Sequence, residues 1–329
     1  MHLVESEIEA ERRPGRVPQP LESYLAFARS LPSVFDDHTW LAEDGDGTPI
    51  GSSACWSISA GDPSVMVCYV YVRPAWRGRR AGWRLAEAVL ELAADEGRSR
   101  LTWTTFESVP AGEAFSRRLG GQVARVNRAS EVRLTDVNWD LVHSWIEDGP
   151  RRAAGYSLDC QLGPLSADLL KDTVTFHHIM QTAPQDDLEG TGVVLDVSQA
   201  AEIDRHVAES GMERWLIFVR DPGGRCIGGT ELILDPWQPA VARQQSTGID
   251  PAHRGLGLAK WVKASMLERV RAGQPSVERV RTANAFSNEP MLAINDALGF
   301  TIVEVQTDWQ GQVARLRDAW HCLDADQRG

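Results

Sequence analysis

The chain lacks several features that would have decided its class at once. No stretch of its 329 residues approaches the ~18 consecutive apolar residues that a membrane-spanning helix needs, and the opening MHLVESEIEAERR is too acidic and polar for a secretory leader. The expected compartment is therefore the cytoplasm, with no membrane partner. Cysteine is sparse: Cys55, Cys68, Cys160, Cys226 and Cys322 are odd in number, widely spaced and free of any C-x-x-C pair, which excludes a disulfide framework and a zinc knuckle and predicts reduced, buried thiols. Basic charge is in deficit, 34 Lys and Arg against 46 Asp and Glu for a net −12. Repulsion from phosphates then opposes nucleic acid and anionic lipid as partners, and the acidic excess suits a cationic small molecule. There is no G-x-S-x-G nucleophile elbow. The histidines, among them the adjacent His177 and His178 with His206 and His253 far apart, show no ligand spacing, so no metal is expected.

What the chain does have is a repeat. Asp44, Gly47, Ile50 and Gly51 recur 177 residues later as Asp221, Gly224, Ile227 and Gly228. At the same offset Pro74, Ala75, Arg77 and Gly78 recur as Pro251, Ala252, Arg254 and Gly255, and Leu90 and Glu91 as Leu267 and Glu268. Leu119 and Gly120 match Leu298 and Gly299 at 179. So nearly constant an offset marks a duplicated domain rather than a short solenoid unit. Two domains are expected, 1–140 and 155–329, joined through Asn138 to Ala154, helical over Trp139 to Trp145 and then broken by the turn-rich D-G-P-R-R.

In the second copy, Arg214 to Arg220 and Cys226 to Leu234 read as a hairpin closed by D-P-G-G, and Val241 to Ile249 as a third strand. Leu258, Trp261, Val262, Ser265, Met266 and Val270 then have the spacing of a half-buried helix. A strand over Val277 to Ala283, a helix over Pro290 to Leu298 and a strand over Thr301 to Trp309 close it. The first copy runs in parallel through His38 to Glu43, Ile50 to Ile58, Val65 to Val72, a helix bearing Leu85, Ala88, Val89 and Leu92, Leu101 to Thr105 and Glu113 to Leu119. The fold class is α/β (α+β), each copy a mixed, mostly antiparallel sheet flanked by helices. Tyr156 to His177, the opening strand and helix of copy two, maps before Met1, so copy one is expected to lack its first strand or to have it replaced by the remaining N-terminal residues.

The chemistry-bearing segment is GIDPAHRGLGLA, Gly248 to Ala259. It sets Arg254, Gly255, Leu256, Gly257, Leu258 and Ala259 between a strand ending near Ile249 and a helix. Small residues permit close backbone approach there, and the unpaired amides of a first helical turn favour an anion such as a diphosphate. A plain tight turn is the alternative. Neither a Walker A loop nor the full dinucleotide fingerprint is present.

R-G-L-G-L-A, followed about 30 residues later by N-A-F-S-N-E-P-M-L-A-I-N-D-A-L-G-F (Asn284 to Phe300), resembles the acetyl-CoA-binding pattern of the GNAT N-acetyltransferases. The resemblance covers Leu195 to Gln310 well and copy one more weakly, an arrangement similar to tandem, mycothiol synthase-like members. It implies two tandem GNAT-like domains, with acetyl-CoA as co-substrate, its diphosphate on the backbone of the first motif, and Asn284 and Asn288 as pantetheine contacts. Asn288 also suits a helix N-cap. Copy one departs from the pattern: R-G-R-R-A-G (Arg77 to Gly82) puts Arg80 where a close-approach glycine belongs, so its side chain is expected to obstruct the diphosphate, and the second domain is expected to be the catalytic one.

Two residues are candidates for catalysis. Glu231 is a carboxylate in the otherwise apolar row Ile227, Gly229, Ile233; burial would raise its pKa towards a general base's range, and a salt-bridged glutamate is the alternative. Copy one has Ala54 at the equivalent place. The family's thiolate-protonating tyrosine falls on Asn295, which cannot act as an acid but can donate a hydrogen bond to sulfur; its alternative is a buried structural polar residue. Copy one has Ser116 and Thr105 at the places of Asn295 and Asn284. The expected activity is direct acetyl transfer to a primary amine of a small polar acceptor, by a monomer or homodimer. The alternatives are a non-catalytic CoA-binding or sensing module, and an acyltransferase with a peptide or longer-acyl substrate.

Overall fold

The computed structural model describes residues 1–190 and 192–326. The first half comprises α1 (His2–Arg12), α2 (Leu21–Arg29), β1 (Phe35–Glu43), β2 (Pro49–Ile58), β3 (Val65–Val72), α3 (Ala81–Asp95), β4 (Arg100–Phe106), α4 (Pro110–Leu119), β5 (Gln122–Arg133) and α5 (Trp139–Arg152). The second comprises β6 (Ser157–Leu162), α6 (Ala167–Met180), α7 (Val197–Glu209), β7 (Glu213–Arg220), β8 (Cys226–Leu234), β9 (Val241–Ile249), α8 (Leu258–Gly273), β10 (Arg279–Ala285), α9 (Glu289–Leu298), β11 (Thr301–Gln312) and α10 (Val313–Asp326). The hairpin of β7 and β8 forms as the sequence predicts, its turn held by Asp221, whose carboxylate accepts from the amides of Gly223 and Arg225. Among the described residues no strand flanks β1 on its outer side, and those before it form α1 and α2.

The eleven strands of the described residues join one sheet in the order β1-β2-β3-β4-β11-β5-β10-β9-β8-β7-β6. Only β3 with β4 and β9 with β10 run parallel. The two closing strands are exchanged: β5, from the first half, lies between β10 and β11, and β11, from the second, lies between β4 and β5. Each half thus completes the other's sheet.

The sheet carries helices on both faces. On one face α8 buries Leu258, Val262, Met266, Leu267 and Val270 against β7 to β9, and α3 buries Val89, Leu90 and Ala93 against Cys55, Met66 and Leu101. Full burial of a Leu, Val or Met is worth about 1.5–3 kcal/mol. On the other face Phe176 of α6 packs on Leu216 and Phe218, and α1 lies over β2 and β3 through the buried Val4 and Ile8.

Two expectations need correcting. The segment D-G-P-R-R does not break the connection, because α5 runs through Pro150 to Arg152. Proline removes only one bond in the last turn, and Gly149 lies flush on the Trp261 ring of α8, where a Cβ would collide. The cysteines are all free, but Cys160 is half-buried and Cys322 exposed rather than buried.

Candidate functional site

Both halves contain a fork. In the first, β3 and β4 pair only over Val65–Val67 with Arg100–Thr102 and then part. The gap is a cavity of about 370 Å³ lined by Tyr69, Tyr71, Trp83, Ala86, Trp103 and Phe115 among others. Its mouth is the loop before α3. Gly78 and Arg80 there have φ of +74° and +67°, and Arg80 is the N-cap of α3. The first helical bond runs from Arg84 N to Arg80 O, 3.1 Å, leaving the amides of Ala81, Gly82 and Trp83 without helix acceptors. Arg77 fixes the loop: its Nε donates to Val72 O at 3.2 Å, and its guanidinium pairs with Glu11.

The second half repeats this frame. Val241–Arg243 pair with Arg279–Arg281 before β9 and β10 part. Gly255 and Gly257 have φ of +84° and +81°, Trp261 N donates to Gly257 O at 3.1 Å, and Arg254 Nε donates to Ile249 O at 2.9 Å. Arg80 therefore holds, as an arginine, the same left-handed N-cap conformation that Gly257 holds as glycine. The segment Ile249, Arg254, Gly255, Leu256, Gly257, Leu258 and Ala259 is brought together as one strand–turn–helix unit. A cavity of about 390 Å³ lies at its mouth, lined by Gly255, Gly257, Lys260, Trp145 and Arg152.

The interiors differ. Lys263 stands at the α8 position equivalent to Ala86, and its side chain runs into the second fork. It is 1% exposed; its Nζ donates to Asn295 Oδ1 and lies 5.3 Å from the centre of the Phe300 ring. Burial pushes its pKa down to about 7. Asn295, fully buried, passes the chain on from Nδ2 to Asn284 Oδ1 at 2.8 Å. Asn288 is the N-cap of α9, its side chain accepting from Met291 N. Lys263 escaped the sequence reading because it sits beside apolar Val262 on an otherwise ordinary helix; the repeat offset, which sets it against Ala86, is the signal that could have found it.

Glu231 is not at the fork interior. It faces α6 and α7 with its register partner Leu216, and its Oε1 accepts from Arg214 Nε at 2.6 Å. Arg214 is itself buried and lies 3.7 Å from Asp204. The carboxylate is thus held in an ion pair.

A third cavity, about 550 Å³, lies on the α1 and α2 face over β9, β10 and β11, its lining including Glu5, Tyr24, Arg243 and Arg281. One hydrogen bond joins it to the first fork: Tyr69, which lines the fork, donates to Glu5 Oε1 at 2.9 Å. Tyr24 donates to the same oxygen at 3.3 Å. Tyr69 and Tyr71 stack with centroids 4.4 Å apart. Burial, and for Tyr69 also Glu5, pushes both hydroxyls up, Tyr71 to about 12, so both remain donors near neutrality. Sequence reading missed this group because α1 was not assigned as an element.

Elsewhere Asp36, His38 and Glu96 offer three donor atoms within 4.8 Å of one another, the one such group among the described residues. Among those residues no helix is long and apolar enough to cross a membrane.

Residues 5–120 match the acetyltransferase (GNAT) family. A tandem GNAT protein from the clavulanic acid biosynthesis pathway is 23% identical, with a TM-score of 0.75 over 95% of this chain and 94% of its own. The chain has a tandem GNAT fold. A GCN5-related N-acetyltransferase from Sphaerobacter thermophilus follows at 12% identity, TM-score 0.64, over 95% and 92% of the two chains. No curated protein matches. The family match falls on the half whose loop departs from the sequence pattern, and together with the tandem GNAT fold it supports acyl transfer.

Proposed function

We propose that the protein transfers an acetyl group from acetyl-CoA to the primary amine of a small polar acceptor, and that the first fork carries the reaction. The observation that supports this most directly is the largely apolar cavity between β3 and β4, with the first-turn amides of α3 at its mouth and, in its wall, Tyr69, whose hydroxyl reaches Glu5 of the neighbouring cavity. An apolar gap of this kind suits a pantetheine arm, and the α3 N-terminus suits a diphosphate. An ammonium must lose a proton before it can attack a thioester. Glu5 accepts that proton and releases it to solvent; the free amine attacks the carbonyl carbon and the C–N bond forms; and as the C–S bond breaks, the second proton, now on the acylated nitrogen, passes through Glu5 and the Tyr69 hydroxyl to the departing thiolate. Only the acyl group changes partner, so no metal or redox step is required.

A second reading is kept because the Gly255–Gly257 loop has the same backbone frame. In it the second half grips the CoA diphosphate through Gly255 to Ala259, flanked by Ile249, Arg254, Asn284 and Asn288, with Asn295 donating to sulfur and Glu231 as base. For turnover, Lys263 would first have to vacate the fork and Glu231 leave Arg214.

Two bulky substitutions separate the readings in a thiol-release assay over a panel of amines. Ala86→Trp, which fills the first cavity, is expected to abolish turnover, whereas Gly257→Trp is expected to leave it. The reverse pattern, in folded variants checked by circular dichroism, would transfer the reaction to the second half. Acetyl-CoA binding without turnover on any amine would make the chain a sensing module, and turnover only with longer acyl-CoAs or peptide N-termini would change the substrate.

A further inference from the structure

The third cavity is lined by charge of both signs, with Glu5, Glu9 and Asp235 facing Arg12, Arg13, Arg16, Arg243 and Arg281. Glu5 lies next to Tyr69. Arg243 of β9 and Arg281 of β10 are direct register partners, the last pair before that fork opens, so both side chains leave the sheet on the same face and line the same cavity. Like charges on adjacent strands repel unless an anion lies between them. Arg281 has one carboxylate, Glu304 at 3.0 Å, which it shares with Arg12 and Arg13. Arg243 has none among the described residues. Its NH2 reaches only the Met212 sulfur, at 3.2 Å, and its Nε is buried without a hydrogen-bond partner. Arg13 Nε, on the facing helix, is likewise buried and unpaired. Desolvation lowers the pKa of Arg243, with Asp235 opposing. A partly buried arginine that makes no ion pair, and feels Asp235 only from beyond ion-pair distance, is costly in a finished protein, and all the more conspicuous in a chain of net charge −12.

We infer that Arg243 and Arg281 hold an anionic group, a carboxylate or phosphate, carried by the amine acceptor itself. The acceptor is then zwitterionic rather than simply cationic: its ammonium lies at Glu5, beside the first fork, and its anion lies against the paired guanidinium groups of the same cavity. A bidentate guanidinium matches the planar carboxylate and the phosphate face equally well. The inference rests on the reading of Glu5 as the group that takes the amine's proton, and it deepens that reading by naming the acceptor's second recognition element. Arg243 is a specificity residue here, since it reaches no reacting atom.

Matched pairs of amines test it on the full-length protein. Calorimetry without acyl donor compares 4-aminobutyrate with 1-aminobutane and phosphoethanolamine with ethanolamine. The anionic member of at least one pair is expected to bind tenfold or more tightly than its uncharged partner, and the pair with the larger preference identifies carboxylate or phosphate. Arg243→Gln is expected to erase the preference and to raise KM with kcat largely kept, while Arg243→Lys, which keeps the charge, retains part of it. Equal binding within both pairs, no binding by any of the four, or a preference untouched by Arg243→Gln in a variant that melts like wild type would overturn the inference. A separate titration with acetyl-CoA keeps the two readings apart: its failure would remove the transferase reading, whereas the anion preference is measured without it.

Discussion

At the scale of single residues, Lys263 shows how one side chain changes what a conserved frame can do. Its position in the repeat is Ala86, and where alanine leaves an open gap, a four-carbon stem and an amine occupy the fork and tie Asn295 to Asn284. Burial lowers its pKa from 10.5 to about 7, and the sign of the consequence follows. Below pH 7 both folded and unfolded chains carry the proton, and the native state bears the cost of a buried ammonium. Between pH 7 and the unfolded value only the unfolded chain is protonated, so this group makes stability rise with pH across that window. Lys263→Met should remove the rise. Urea unfolding of wild type and variant at pH 7 and pH 10 should show the difference between them shifting in favour of wild type by on the order of 3 kcal/mol; a constant difference would mean that the amine is not desolvated. Glu231 makes the opposite point. Half-buried against the buried Arg214, it reads as a structural charge, and Glu231→Gln should destabilise the fold by about 3–5 kcal/mol by orphaning that arginine, with kcat kept wherever the chain remains folded.

At the scale of elements, α1 ties the site together. Glu7 and Glu11 on one side of it pair with Arg73 and Arg77 beside the first loop, and Arg12 and Arg13 reach Glu304 on β11. Burial alone would raise the Glu304 pKa, but hydrogen bonds from Arg12 and Gln306 and the Arg12 charge outweigh it and hold the carboxyl at about 2. Its stabilising contribution is therefore complete above the ordinary value of 4.5 and is lost as pH falls through about 2. Glu304→Gln should cost about 3–5 kcal/mol near neutrality and flatten the acid limb between those values, with α1 the first segment cut in limited proteolysis. The sequence held a signal for this helix that went unread, Val4 and Ile8 at i,i+4 with Glu9, Arg12 and Arg13 spaced to pair. The Tyr69–Glu5 contact spans 64 residues, and no local pattern specifies it. At α5 the local signal pointed the wrong way: Gly149 and Pro150 spell a break, yet packing on Trp261 carries the helix past them. Gly149→Ala should cost about 1–3 kcal/mol through that overpacking, read as a lowered Tm.

At the scale of the whole molecule, the duplication was legible because turns and loops keep their glycines at a fixed offset, and so was the strand–turn–helix unit from Ile249 to Ala259. The pairing of the last strands was not. β5 and β11 carry the same alternating pattern whether each closes its own half or the other's, and period-2 patterning fixes which face is buried but not which neighbour is chosen. In the structure β5 is flanked on both sides by second-half strands and β11 on both sides by first-half strands, so removing either half strips the other's sheet of its inserted strand and bares a long edge. The halves should accordingly behave as one cooperative unit even when the chain is cut. A protease site placed at the exposed turn around Gly155, between α5 and β6, should give two fragments that elute together at the intact mass and unfold in a single transition by both far-ultraviolet dichroism and tryptophan fluorescence. Residues 155–329 expressed alone should aggregate or dimerise, because a second copy's β11 is the nearest substitute for β5. A stable monomer of that fragment, or two separate transitions in the cut protein, would show that the exchange contributes no cohesion and that each half closes on its own strand.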